Sequence, residues 1–219
     1  MGEHYGDPGV FIRSMASRGS VGGLALATGD AVRVLDAASF QVILIETVGA
    51  GQAEVEIADE AHTTVVVVVP GLGDDVQAMK AGILEIADVY CVNKGDQPGA
   101  DRTVANLKTM LGLGMRGREV DWMPPVVVTT ATTGDGVDAL VQAIAAHGDY
   151  LRAGAGWEHR ERLRAHAELR RRLTATMVDR LLDQAGPEQV GDLLDRLVAR
   201  RIDPARAVDE LVEAVESGR

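Results

Sequence analysis

The 219-residue chain predicts an α/β fold, a doubly wound and mostly parallel sheet followed by a helical extension, and three observations carry that prediction. Four short runs, VILIE at 42–46, VVVVVP at 65–70, VYCVN at 89–93 and PVVVTTA at 125–131, are aliphatic, rich in β-branched residues and without polar alternation. Such runs read as strands buried on both faces, the environment of a parallel sheet covered by helices. Between them lie segments with apolar residues at helical spacing, and beyond residue 150 the helical pattern continues without further strands. Strands alternating with helices require right-handed βαβ crossovers.

Taken in order, DPGVFIRSMASRG at 7–19 reads as a loop, and a Gly-punctuated helix follows from about 22 to 38. The run at 42–46 is the first strand and that at 65–70 the second. DDVQAMKAGILEIA at 74–87 supplies a helix before the strand at 89–93, and a weaker helical stretch near 100–112 precedes the strand at 125–131. GVDALVQAIAAHGDYL, 136–151, closes this part. RAGAGWEH, beginning at Arg152, reads as a linker into a long helix from 157 to about 185. That helix breaks at Gly186-Pro187, because proline lacks the backbone donor a helix interior needs, and helices resume near 188–200 and 204–217. The predicted division is a partial α/β domain at 1–150 and a helical extension at 151–219. Leu and Val recur in the extension at three- and four-residue spacing without a large core of its own, so it is expected to make the chain a homodimer.

Apolar residues make up 46% of the chain and aromatic residues 3%, so the core has to be built from Val, Leu, Ile and Ala. No stretch reaches the roughly 18 uncharged apolar residues that cross a bilayer, and MGEHYGDPGV has neither the basic start nor the apolar run of a targeting signal. A single cysteine, Cys91, rules out an intrachain disulfide and fits a reducing compartment, so a soluble, cytoplasmic protein with no membrane partner is expected. The net charge of −11 is uneven, with 9 Lys/Arg against 20 Asp/Glu in 1–150 and 13 of each in 151–219. An acidic body repels a phosphate backbone, which argues against nucleic acid as a partner. The Arg-rich stretch at 157–172 is interleaved with Glu158, Glu161 and Glu168 and reads as a solvated helix face.

Three motifs carry chemistry, and each follows a strand. ETVGAGQAE places Glu46 where open α/β sheets bind ligands, and an acid there can hold Mg²⁺ or its water while a nearby Gly offers an N–H to a terminal phosphate. NKGD, Asn93 to Asp96, has the residues that read guanine: an Asn for the purine and its own loop, a Lys stem against the base, and an Asp that accepts from N1–H and the 2-amino group. TTATTGDGVDAL puts Thr130 and Ala131 in a small-residue loop whose backbone N–H can support the guanine O6. The order of the three, each behind its own strand, looks like the nucleotide-binding core of a GTPase.

The stretches DPGVFIRSMASRGSVGGLA, FQVILIETVGAGQAE and VVVPGLGDDVQAMKAGILEIADVYCVNKGD are similar to those of the MeaB/ArgK group, whose animal members assist methylmalonyl-CoA mutase. The similarity runs from residue 7 to about 150. It implies a sheet of P-loop GTPase type, GTP and GDP as ligands, Mg²⁺ as the metal, and a cobalamin-dependent acyl-CoA mutase as partner. On this resemblance Glu46 is the acid near Mg²⁺, acting through water, Gly49 the γ-phosphate sensor and Gln52 part of the adjoining switch. Asp74, Gln77 and Lys80 would relay nucleotide state to the mutase, although Asp74 is equally a good N-cap for the helix that follows it.

No G-x-x-x-x-G-K-[ST] occurs in the sequence, whose only lysines are Lys80, Lys94 and Lys108. The resemblance places that loop and its strand before the first residue here, with Met1 matching an internal methionine of the family. The strand would lie between those at 41–48 and 63–69, which are therefore expected to lack their common neighbour. Three other readings stay open. One is a truncated, non-catalytic binding or dimerising module. Another is a nickel-insertion GTPase, for which one Cys and scattered histidines at 4, 62, 147, 159 and 166 offer no clustered ligand set. The last is the older family label of a lysine/arginine/ornithine transport ATPase.

Overall fold

Val65–Val68, Val89–Val92 and Val126–Val128 form β1, β2 and β3 of a single parallel sheet in that spatial order. The computed structural model describes residues 6–15, 23–47, 60–71, 86–114 and 121–217. In register, Val66 lies beside Tyr90 and Tyr90 beside Val126. The helices are α1 (Gly23–Ala37), α2 (Ala100–Gly114), α3 (Val137–Ala153), α4 (Gly156–Val198) and α5 (Pro204–Glu216).

All four residues of β2 are buried, as a strand covered on both faces must be. Side chains alternate across a strand, so Tyr90 and Val92 share one face, where they meet Val68, Ala87 and Leu107. Val104, Met110 and Leu111 of α2 complete that cluster from one helix stripe. Burial also raises the pKa of the Tyr90 phenol, by disfavouring its charged form. Val89 and Cys91 occupy the other face of the strand, and α3 contacts both β2 and β3.

The described contacts divide the chain into two units, Ala31–His166 and Met1–Asp30 with Ala167–Arg219. The first unit holds the sheet and, at the amino ends of its strands, a buried polar cluster. The Asp88 carboxylate accepts from the Thr64 N–H at 2.8 Å and from the Arg160 guanidinium. His147 is 1% exposed, with Nδ1 2.9 Å from the Thr63 hydroxyl and Nε2 3.4 Å from Asp88 Oδ1. One neutral tautomer satisfies both contacts: Thr63 donates to Nδ1, and Nε2–H faces the carboxylate. The Trp122 indole donates to the Asp88 carbonyl at 2.9 Å and its ring lies 4.9 Å from that of His147. Nearby, His62 stacks on Trp157 at 4.0 Å.

In the second unit, Arg172 pairs with Asp30 and Glu168, and Arg196 joins α4 to α5 through Glu210 at 2.8 Å. Asp203 caps α5 by accepting from the Arg206 N–H at 3.0 Å, with Pro204 in the first helical turn.

The expected helix at 22–38, the strands at 65–70, 89–93 and 125–131, and the helices at 100–112 and 136–151 are all present to within a few residues. The expected linker reduces to Gly154 and Ala155. Gly186 has φ 77° and ψ 164°, so the long helix does break at Gly186-Pro187. The helix expected at 74–87 lies largely outside the described residues. One expectation fails: residues 42–47 form no strand, and Val42 and Leu44 are 74% and 86% exposed. An extended run becomes a strand only where a neighbour takes its backbone hydrogen bonds, and among the described residues none lies beside it.

Asp88→Ala would leave the Arg160 guanidinium and the Thr64 N–H without their shared acceptor, and is expected to cost about 3 kcal/mol, read as a lowered urea midpoint at unchanged slope. Burial lowers the pKa of His147 below the ordinary imidazole value; the Asp88 charge opposes this and Arg160 reinforces it. The unfolded chain therefore takes up a proton near this site at a higher pH than the folded one. Stability from His147 is complete above about pH 6.5 and is lost as pH falls toward the folded pKa. Between about pH 7 and about pH 5 the fall should be shallower in His147→Gln than in the parent chain, as measured by urea unfolding at each pH.

Candidate functional site

β2 ends at Val92, and the turn beyond it is built by the sheet's own hydrogen bonds. The Asn93 N–H donates to the Val68 carbonyl at 2.8 Å, and the Thr129 N–H to the Val92 carbonyl at 2.9 Å. The Gly95 N–H then donates back to the Thr129 carbonyl at 2.8 Å. Residues 93–95 are thus pinned to the carboxyl ends of all three strands, where open α/β sheets bind ligands.

Two positions in this turn are conformationally special. Lys94 adopts a left-handed backbone at φ 59°, an uncommon state for a residue with a side chain. A Cβ on Gly95 would come within 2.4 Å of Val128 Cγ1, so glycine is required for the close approach of the two strand ends.

The Asn93 carboxamide is turned inward. Its Oδ1 accepts from the Ala131 N–H at 3.1 Å and from the Thr129 hydroxyl at 3.2 Å, which leaves the two Nδ2 hydrogens directed elsewhere. Asn93 is half-buried, whereas Lys94 and Asp96 are exposed. The facing loop closes on itself: the Thr130 N–H donates to the Asp135 carbonyl at 2.8 Å, and the Thr133 hydroxyl to the Asp135 carboxylate at 2.6 Å. Gly136 opens α3 at φ 75°, and a Cβ there would lie 2.0 Å from the Val128 carbonyl oxygen.

The structure therefore brings Asn93, Lys94 and Asp96 onto one turn and links Asn93 directly to Ala131, with Thr130 buried beside it. Chemically the turn carries an amide whose oxygen is engaged by the facing loop, together with an exposed lysine cation and an exposed aspartate acceptor. Glu46 is exposed on the segment 42–47, which pairs with no strand among the described residues. Gly49, Gln52, Asp74, Gln77 and Lys80 lie outside the described residues. Among the described residues no three His, Cys, Asp or Glu side chains converge as a metal site. His62 and His147 are already engaged with Trp157 and with Thr63 and Asp88.

Two residues of the site escape sequence reasoning. Thr129 anchors Asn93, and Cys91 lies 3.2 Å from the Thr129 hydroxyl. The signal for Thr129 was its place directly after the valines of β3; for Cys91, a strand residue, there was none.

The sequence profile of the MeaB family, described as methylmalonyl Co-A mutase-associated GTPase, matches residues 1–186. A protein of Pyrococcus abyssi (strain GE5 / Orsay), named as a GTPase, is 42% identical over 219 residues, all of this chain and 68% of its own length. GTPase ArgK of Escherichia coli (strain K12) is 33% identical over 139 residues, 62% of this chain and 41% of its own. The crystal structure of a LAO/AO transport system kinase superposes with a TM-score of 0.65 at 22% identity, over 89% of this chain and 63% of that one. The last likeness bears on the fold, which is α/β of P-loop GTPase type. The profile match over most of the chain, with 42% identity along its whole length, places it by descent: it belongs to the MeaB family of methylmalonyl Co-A mutase-associated GTPases.

Proposed function

We propose that this chain supplies the guanine-reading and partner-coupling parts of a GTP-hydrolysing chaperone that protects a cobalamin-dependent methylmalonyl-CoA mutase and gates its cofactor loading. The observation that carries the nucleotide half is the Asn93 carboxamide, held through Oδ1 by the loop at Ala131 so that Nδ2 stays available to a purine. Asp96 accepts from guanine N1–H and the 2-amino group, which adenine cannot match, and the aliphatic stem of Lys94 lies along the base. The loop at Thr130 and Ala131 would stand beside O6; the Thr130 N–H is engaged by the Asp135 carbonyl, so support of O6 would require the Ala131 N–H to be shared with Asn93 Oδ1.

Glu46 fits a role beside Mg²⁺: its carboxylate is exposed and free to hold the ion through water, and the ion would offset phosphate charge in the transition state. Gly49 and Gln52 respond to the terminal phosphate, and Asp74, Gln77 and Lys80 carry that response to the mutase. Hydrolysis further requires a phosphate-binding loop, and no G-x-x-x-x-G-K-[ST] occurs in these 219 residues. The reading assigns 1–150 to the nucleotide domain and 151–219 to the helical extension, in a cytoplasmic homodimer. Support for the dimer comes from Leu169, Leu173, Met177 and Leu182, exposed at four- and five-residue spacing along α4.

Isothermal titration of the chain with GDP and ADP tests the base reading. GDP is expected to bind more tightly than ADP, and Asp96→Asn should remove that preference at about 1.5–3 kcal/mol for each charge-assisted bond lost. Unchanged discrimination in the variant refutes the assignment. By light scattering the intact chain should show twice its own mass, and a single-chain mass would count against the dimer.

A further inference from the structure

The buried polar cluster at the amino ends of the strands takes no part in the nucleotide reading, and its charges balance in one protonation state only. Of the two Asp88 carboxylate oxygens, Oδ2 is taken by the Thr64 N–H, whereas Oδ1 faces two groups at once, the Arg160 guanidinium of α4 and His147 Nε2 of α3. With His147 neutral, one anion meets one cation, and Nε2–H adds a weaker contact to the same oxygen.

Protonating His147 sets two cations against one carboxylate whose side chain is only 10% exposed. A second, uncompensated charge in so dry a place is costly, so one cation has to leave. His147 cannot: its ring is buried against Trp122, with Nδ1 at the Thr63 hydroxyl. That hydroxyl donates to a neutral imidazole and accepts from an imidazolium, so it satisfies either form. Arg160 has a way out, because its side chain is 28% exposed and its long stem lets the guanidinium turn to water. Tyr150, also of α3, is the other titratable ring near His147, at 6.1 Å, and carries no positive charge in either state.

A second tie holds the same stretch of α4. His62 stacks on Trp157, over which Arg152 also lies, and His62 Nε2 faces the Glu161 carboxylate and the Arg164 guanidinium. A protonated His62 donates to Glu161, so acid tightens this tie while it strains the first.

We propose that Asp88 is an acid-released latch on the root of α4: with His147 neutral it holds Arg160 and pins the first turns of the helix to the sheet, and with His147 protonated it turns to His147 and lets Arg160 go, while the sheet stays folded. Burial lowers the His147 pKa, so the latch is closed at neutral pH and opens only below about pH 6.5.

The test is amide exchange by NMR on the full chain between pH 7.5 and pH 5, expressed as protection factors so that the intrinsic pH dependence of exchange drops out, with the His147 ring nitrogens followed in the same samples. Protection at residues 159–165 should fall by about tenfold with the midpoint of the His147 titration, while Tyr90 and Cys91 keep theirs. His147→Gln, which stays neutral, should abolish the fall. Arg160→Gln should start at the low value and show no pH dependence, and His62→Gln should keep the fall. A His147 titration with unchanged protection in α4, a fall shared equally by β2, or a fall abolished by His62→Gln each overturns the latch. Should His147→Gln fail to fold, the coincidence of midpoints in the parent chain and the pH response of Arg160→Gln still decide it.

Discussion

Everything described in the sheet-bearing unit depends on β2 being paired along both edges and covered on both faces. Val89, Tyr90 and Val92 have no exposed surface and Cys91 has almost none, so their backbone groups cannot turn to water. A buried amide or carbonyl without a partner costs about 1–3 kcal/mol, and four residues carry eight such groups. β1 and β3 meet that demand from the two sides, and the ladder continues past the strand ends through Asp88 to Thr64, Tyr90 to Pro125 and Thr129 to Val92. The chain therefore leaves β2 at one place and in one direction, and the site inherits that precision.

The two ends of the same strand solve different problems. At the carboxyl end, backbone geometry is spent on approach: Lys94 in a left-handed state, Gly95 against Val128, and Gly136 against the Val128 carbonyl bring two loops within hydrogen-bonding reach. At the amino end, polar side chains are buried, and the arrangement holds because their charges and protons match. Asp88 is opposed by Arg160, and His147 stays neutral between Thr63 and the carboxylate. Burying a charge is tolerable when it is paired and hydrogen-bonded, which is the condition met here. One end leaves a lysine and an aspartate exposed; at the other the polar side chains are buried and paired.

The segment 42–47 shows what the same chemistry does where no described residue lies beside it. VILIE has the composition of β1 and β2, yet its valine and leucine stay exposed and among the described residues it joins no ladder. β-propensity is a preference for a pleated and half-buried surface, and it has no effect where that surface is not provided.

The sequence by itself determined the class of fold and the places of two of its three motifs behind strands. Aliphatic runs without alternation can be stable only inside a parallel sheet, helical spacing between them places the crossovers, and NKGD and TTA after strands put Asn93, Lys94, Asp96, Thr130 and Ala131 at the sheet's carboxyl end. Local chemistry also marked Gly186-Pro187 and the start of α5, because glycine and proline act on their own backbone. Only the tertiary structure decided which runs became strands, and that Asn93 Oδ1 takes the Ala131 N–H and the Thr129 hydroxyl. It alone brought Asp88, His147 and Arg160 together across as many as 72 residues of sequence. The physical reason is common to all of these: strand pairing, amide orientation and buried charge are satisfied by partners remote in sequence, and no property of the local residues specifies which partner arrives.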